Sequence, residues 1–541
     1  VSGFLRLLGA QARRDRWILL LWILGITILG LAAASAVGSE FAEEAERASI
    51  VAVAAASPAF LFLRGLPDGV DVGALVFFQA FSFTAVLAGL MSTFLVVRHT
   101  RGDEELGRAE LLGSTPIGRG TPLVATITLG VTTNVVLSVA VTAGYVVGGL
   151  PLGGSAIAGA AVGATGLVFV GVAAVVAQFA PTGRAANGIA AASVGIAYVV
   201  RGIGDALGTP NDALTSVTPS GISWLSPIGW GQATRPFSEP TLVPLLLSLG
   251  ALALLAVVSV GLRRGRDLGS SPLVERGGRA EATLGGHSTL GLAWRLQRGT
   301  LAGWAIGAAA LGTIAGAVAP IVADAVEGNE SLAALIGNLA PGTGADLDIV
   351  DVFTSGIVGM AGVLAAAAGV QAVLRLRAEE AEGRAEMLLA TPTGRGVWVG
   401  STLLVSALSV VVVCAFGGGA AGLLIAASSG DATAIGSYAG AGLAHAPAAL
   451  VFVAVTALVF ALVPRATIAL GWGLLVLGLV LGQFGDLLAL PEWLQNVSPF
   501  RYSSAAPAEA FDATSALVLV AVALAGTALA LVTVRRRDLV T

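Results

Sequence analysis

Long apolar runs alternate with short polar segments along the whole of this 541-residue chain. Runs without an acidic or arginine side chain lie near 17–37, 72–97, 121–148, 153–180, 185–200 and 242–262. A second set lies near 301–323, 352–374, 397–427, 432–463, 466–484 and 513–534. About 20 apolar residues suffice for an α-helix to cross the hydrocarbon core of a bilayer. A helix is also the form that satisfies its own backbone where no water is available. The pattern therefore predicts an all-α polytopic membrane protein with twelve spans, six plus six; the fifth run is the shortest. Arg13, Arg14 and Arg16 precede the first run, and Ala34-Ser35-Ala36 looks like a signal-cleavage site. The run nevertheless continues to Val37 and its pattern recurs mid-chain, so it reads as a span.

The two sets are copies of each other. Arg13, Arg16, Trp22 and Gly25 match Arg295, Arg298, Trp304 and Gly307 at a constant offset of 282. Residues 104–120 match 380–396 with 11 of 17 identical, including Gly107-Arg108-Ala109-Glu110 against Gly383-Arg384-Ala385-Glu386. Thr115-Pro116 and Gly118-Arg119-Gly120 likewise match Thr391-Pro392 and Gly394-Arg395-Gly396. Near the end of each half, Ser226-Pro227-Ile228-Gly229-Trp230 resembles Ser498-Pro499-Phe500-Arg501-Tyr502. Six is even, so the halves 1–262 and 290–541 form two parallel six-helix repeats about an axis along the membrane normal. The expected pathway is the seam of this pseudo-dimer, and the polar stretch 263–289 is the expected linker.

Composition narrows the chemistry. Only 11% of residues are charged, against about 25% in ordinary soluble domains. All 29 basic residues are Arg. Without Lys there is no Walker A phosphate loop and no Schiff-base catalysis. The single Cys414 excludes an intrachain disulfide and any CxxC metal spacing. With the N-terminus placed in the cytoplasm, only Arg47, Arg64, Arg201, Arg235 and Arg501 fall outside; the acids divide as 20 outside and 13 inside. The reverse orientation would violate the positive-inside rule. Both termini are thus expected in the cytoplasm, in a bacterial plasma membrane.

The segment Arg98–Gly120 is more than a turn. Asp103-Glu104-Glu105 supply negative charge where a helix would begin, Thr115-Pro116 would end it, and Thr121-Pro122 starts the next span. Glu379–Thr391 repeats this logic. Membrane insertion calls for Arg, yet not for Glu110 and Glu386 or for a fixed order. A partner touching both copies explains the order; an ordinary solvated loop does not need it.

Here the chain resembles ABC-2-type exporter permeases. The Glu-x-x-Gly-Arg-Ala-Glu…Thr-Pro-x-Gly-Arg-Gly element, present twice, is similar to that of fused actinobacterial permeases of the polyketide-antibiotic (tetronasin) exporter type. The resemblance implies two coupling helices, with Glu104, Glu105, Arg108 and Glu110 in one and Glu379, Glu380, Arg384 and Glu386 in the other. Each would seat in one of two copies of a separate ABC ATPase subunit. ATP and Mg2+ would bind those subunits, with no cofactor or metal in this chain and no enzyme activity of its own. It further implies interfacial elbow helices at Phe4–Arg16 and His287–Arg298, and re-entrant gate helices within 201–241 and 485–512. One departure is visible: the counterpart of Glu105 is Ala381.

Twelve spans also describe proton-coupled carriers, which need ionisable groups inside the membrane. His445 is the one candidate at mid-depth; Arg201, Asp205, Asp324 and Asp486 fall near external span ends. So few titratable groups favour an external energy source, with a proton-driven drug carrier as the alternative. A membrane enzyme or assembly factor would need facing carboxylates, and none repeat. The uncharged spans imply a hydrophobic or amphipathic cargo drawn partly from membrane lipid, with no nucleic-acid partner. Phe77, Phe78, Phe81, Met360 and His445 are the candidate pathway residues, the phenylalanines being equally suited to plain packing. Trp224, Pro227, Trp230, Trp493, Pro499 and Tyr502 are candidates for an external gate or for interfacial anchors.

Overall fold

The computed structural model describes residues 2–41, 43–56, 58–267, 269–271, 287–327, 349–483, 491–504, 506 and 511–538. The chain divides into two compact units, Val1–Gly277 and Gly278–Thr541. Among the described residues twelve helices are long and apolar enough to cross a membrane, six in each unit. The protein is an all-α polytopic membrane protein. In the first unit the spans are Ser2–Glu40, Val72–His99, Thr121–Val147, Leu152–Phe179, Gly183–Ala206 and Val243–Arg264. In the second they are Thr289–Glu327, Ile349–Ala381, Arg395–Ser429, the pair Thr433–Ala444 and Ala446–Leu462, then Thr467–Gln483 and Ala513–Arg536. The tenth span breaks at His445 because Pro447 offers no backbone N–H to the turn before it.

Three expectations are corrected. The helix Ser2–Glu40 is unbroken over 39 residues, as is Thr289–Glu327. Phe4–Arg16 and the stretch up to Arg298 therefore continue their spans; neither forms a separate elbow. The fifth span is not short: it reaches Ala206, because Arg201 and Asp205 neutralise each other one turn apart within it. The stretch before the sixth span, expected to hold gate helices, holds short elements and a ladder. A two-residue antiparallel ladder pairs Thr209 with Thr218 and Pro210 with Val217, followed by the 3-10 helix Gly221–Leu225 and the α-helix Pro227–Gln232. Before the twelfth span, among the described residues, stand the short helices Glu492–Gln495 and Pro499–Tyr502. Most of the linker, and residues 485–490 with Asp486, lie outside the described residues.

Lipid gives helices no hydrophobic reason to associate, so close backbone approach has to hold them. The fourth span meets the third through Gly159, Gly163 and Gly166. A Cβ at Gly163 would sit 2.0 Å from Ser138 Oγ, and one at Gly166 1.9 Å from Asn134 Oδ1. Asn134 Nδ2 donates to Ser92 Oγ at 2.9 Å, adding the second span to the same seam. The second unit uses the same device. A Cβ at Gly312 would lie 1.9 Å from the Gly417 carbonyl oxygen, and one at Gly418 2.0 Å from that of Tyr438. Where the backbones part, aromatic side chains fill the space: Phe81 and Phe169 in the first unit, Phe460 in the second.

Gly163→Val should therefore force the third and fourth spans apart and cost about 1–3 kcal/mol. A lowered melting temperature of the purified protein in detergent checks this; an unchanged one would show that the seam yields.

Candidate functional site

The repeated segment is built by one glycine. The second span continues through Arg101–Glu105, and the chain then turns at Gly107, whose φ of 70° lies in the left-handed region. Gly383 does the same at φ 72° in the second unit. No neighbour stands where either Cβ would be, so the backbone angle alone requires glycine. The short helices Arg108–Gly113 and Arg384–Leu389 start there. This revises the expected start of the motif. Asp103, Glu104 and Glu105 belong to the tail of the second span, and the acid in the first helical turn is Glu110, or Glu386.

The first acids of each copy turn inward. Glu104 receives Arg101 Nη1 at 2.6 Å, Arg263 Nη1 at 2.8 Å and Arg266 Nη2 at 2.6 Å. Arg266 Nη1 also donates to the carbonyls of Ala177 and Gln178, at the end of the fourth span. Burial pushes the Arg266 guanidinium below its ordinary range, and the Glu104 charge opposes this. Asp103 accepts from Arg14 at 2.8 Å and Arg108 at 3.1 Å, and His99 Nε2 lies 2.8 Å from the buried Asp15. In the second unit Glu380 accepts from Arg537 Nη2 at 3.0 Å. Glu379 accepts from Arg375 Nε at 3.0 Å and Trp398 Nε1 at 3.1 Å. Glu104, Glu379 and Glu380 thus fasten span ends and are withdrawn from any partner surface. Glu105 is exposed and receives the Gly183 backbone N–H at 2.8 Å, bracing the start of the fifth span. Ala381 has no carboxylate with which to do the same.

The outward face holds Arg108, Glu110 and Leu111 in one unit and Arg384, Glu386 and Met387 in the other, all exposed. Leu111 is 73% and Met387 69% accessible, large apolar side chains repeated at equivalent positions. Reading the sequence as a helix pattern singles out the charges and passes over these two. A repeated apolar residue directly after the repeated Glu is the signal that marks them. Behind Arg108–Gly113 lies a cavity of about 440 Å3, bordered by Gln11, His99, Glu110, Arg119 and Arg266.

At the far end of the first unit Arg201 and Asp205 are fully buried, 3.1 Å apart. Arg201 Nη2 donates to the Phe62 carbonyl at 3.0 Å, and its guanidinium lies 4.7 Å from the Tyr198 ring centre. Asp205 accepts from Ser223 Oγ at 2.6 Å and Gln232 Nε2 at 3.1 Å. The Ser-Pro motifs also match. Ser226 Oγ donates to the Ala197 carbonyl at 2.7 Å and accepts the Ile228 N–H; Ser498 Oγ donates to the Gly478 carbonyl at 2.7 Å and accepts the Phe500 N–H. Pro227 and Pro499 follow as first helical residues. Trp230 Nε1 donates to the Trp224 carbonyl and Tyr502 Oη to that of Asn496, six residues back in each case. Trp493 and Tyr502 are exposed, as is Trp224.

A family model for the C-terminal domain of the multidrug efflux system permease Rv1217c matches residues 287–535. The multidrug efflux system permease protein Rv1217c of Mycobacterium tuberculosis is 34% identical over 540 residues, covering 99% of this chain and 95% of that protein. The chain belongs to this family of multidrug efflux permeases.

In this permease Phe77, Phe78 and Phe81 are all buried, and Phe77 stacks on Phe81 with ring centres 4.6 Å apart. Phe77 also borders a cavity of about 450 Å3 at the far end of the first unit, beside Trp224, Gln232, Arg235 and Phe237. Met360 is exposed on the eighth span. His445 is buried at the break of the tenth span; its Nδ1 is hydrogen-bonded to Ser503 Oγ, and its Nε2 has no partner among the described residues. Among the described residues none of these side chains borders the cavity behind Arg108–Gly113.

Removing one member of the Arg201–Asp205 pair leaves the other buried without its counter-charge. Arg201→Leu should cost about 3–5 kcal/mol, and Arg201→Leu with Asp205→Leu distinctly less. Thermal unfolding of the two variants in detergent checks the order.

Proposed function

We propose that the chain is the permease subunit of an ATP-driven exporter of the ABC-2 type. It sits in the bacterial plasma membrane with both termini in the cytoplasm. It moves hydrophobic or amphipathic compounds, drugs among them, outward by alternating access. Two ATPase subunits carry ATP and Mg2+ and dock on Arg108–Gly113 and Arg384–Leu389. The observation that carries this reading is the repeated exposed triplet Arg108, Glu110, Leu111 and Arg384, Glu386, Met387. Solvated loops gain nothing from a large exposed apolar side chain kept beside the same charges twice. An interface gains both: an apolar anchor to bury and flanking charges that fix orientation. Trp224, Trp230, Trp493 and Tyr502 close the external side, with Pro227 and Pro499 starting the turns that hold two of them.

The proton-driven alternative has one observation in its favour. His99 sits between Asp15 and Asp103, a titratable group among acids near a span end. Its counterpart by the repeat is Arg375, which does not titrate at physiological pH, so a proton relay there would use one half alone.

Glu110→Arg with Glu386→Arg should leave the permease in the membrane and lower drug-stimulated ATP hydrolysis and drug export about tenfold or more. Leu111→Asp with Met387→Asp should abolish co-purification of the ATPase subunit. Export that continues in ATP-depleted cells and stops on adding an uncoupler would replace this reading with the proton-driven one.

A further inference from the structure

The second span of each unit ends on a carboxylate that meets the arginine following that unit's last span, and the match is close. Glu104 and Glu380 are equivalent by the repeat, at an offset of 276. Arg266-Asp267-Leu268 and Arg537-Asp538-Leu539 follow the sixth and twelfth spans in the same order, at an offset of 271. In the first unit Arg266 Nη2 reaches both oxygens of Glu104; in the second Arg537 Nη2 reaches both oxygens of Glu380. All four side chains are withdrawn from water: Glu104 is 8% and Arg266 6% exposed, Glu380 1% and Arg537 13%. Each arginine also rests on the span before the next loop. Arg266 donates to carbonyls ending the fourth span, and Arg537 lies 4.9 Å over the Phe460 ring of the tenth.

An arginine serving only membrane orientation has no need of this. It would lie in water or among headgroups, and its pairing would be weak. Here a charge left alone is strongly penalised, so carboxylate and guanidinium travel together. The carboxylates also stand at a mechanical junction. Gly107 and Gly383 each follow three residues later, and the short exposed helices start from those glycines.

We infer that Glu104–Arg266 and Glu380–Arg537 are struts that carry movement of each coupling segment to the last span of its own unit. The four side chains are positioning residues: they touch neither cargo nor nucleotide. The inference rests on the ATP-driven reading above. The test is made on the second strut, Glu380–Arg537.

The experiment uses inside-out membrane vesicles from cells carrying the full chain with its ATPase partner. It follows ATP-driven uptake of rhodamine 6G and ATP hydrolysis, both per amount of permease in the membrane. Glu380→Gln and Arg537→Gln should each lower dye uptake about tenfold or more while hydrolysis falls less, since coupling is lost ahead of docking. The exchanged pair Glu380→Arg with Arg537→Glu should recover most of the uptake. Arg537→Lys keeps the charge and gives up the guanidinium fork; it should reach the membrane at the normal level and transport at an intermediate rate. A structural role alone would lower hydrolysis and uptake in proportion and would leave their ratio fixed. Uptake at the original rate in either Gln variant overturns the strut, as does an unchanged ratio of hydrolysis to uptake in Arg537→Lys. Dye uptake driven by an imposed proton gradient without ATP overturns the ATP-driven reading itself. ATP-dependent uptake indifferent to Glu380 and Arg537 overturns the strut alone.

Discussion

A carboxylate removed from water must have a cation against it, and in this protein that requirement fixes where the helix ends go. Hydrocarbon offers no hydration to a lone charge and no hydrophobic drive to gather helices. The middle of each span is therefore held by glycine contacts such as Gly163 against Ser138 and Gly312 against the Gly417 carbonyl. The ends are held by Glu104 among three guanidinium groups, by Glu380 on Arg537, and at the far end by Arg201 on Asp205.

This arrangement divides the charges of the repeated segment into two kinds. Asp103, Glu104, Glu379 and Glu380 are spent on neighbouring spans of their own unit. Arg108, Glu110, Arg384 and Glu386 are exposed, beside the accessible apolar side chains of Leu111 and Met387. The left-handed glycine between the two groups separates the fastening part of the segment from the presenting part. A fastened base and an exposed tip are thus joined by one turn at Gly107 and Gly383.

The copies are not interchangeable. Glu105 braces the start of the fifth span, and Ala381 has nothing to offer there. Asp15 pairs with His99 in the first unit, whereas the equivalent positions are Gln297 and Arg375 in the second. Arg201 and Asp205 lock the fifth span to the turn at Ser223. The Ser-Pro caps, by contrast, are the same in both units down to the atoms that bond. The copies differ at these braces and agree where one serine satisfies a span carbonyl and a turn N–H together.

The sequence by itself determined the number of spans, their division into six and six, and the exposed Glu110 and Glu386. Hydrophobic run length and a repeat at constant offset are local quantities, and the bilayer enforces them. It also marked the Ser-Pro motif, though not the bonds it makes. Only the tertiary structure decided which acids of Asp103-Glu104-Glu105 face inward. Glu104's partners Arg263 and Arg266 lie some 160 positions away along the chain and Asp103's partner Arg14 lies 89 away, and no periodicity links an acid to a cation at such separations. The same holds for Arg201 and Asp205, which by position alone look like surface charges near a span end. In the fold Arg201 donates to a carbonyl of the distant helix Pro58–Arg64, and Asp205 accepts from Gln232. Leu111 and Met387 were hidden for the opposite reason. A leucine in a helical pattern reads as core; the repeat marks the position, and the accessibility of both side chains shows it as surface.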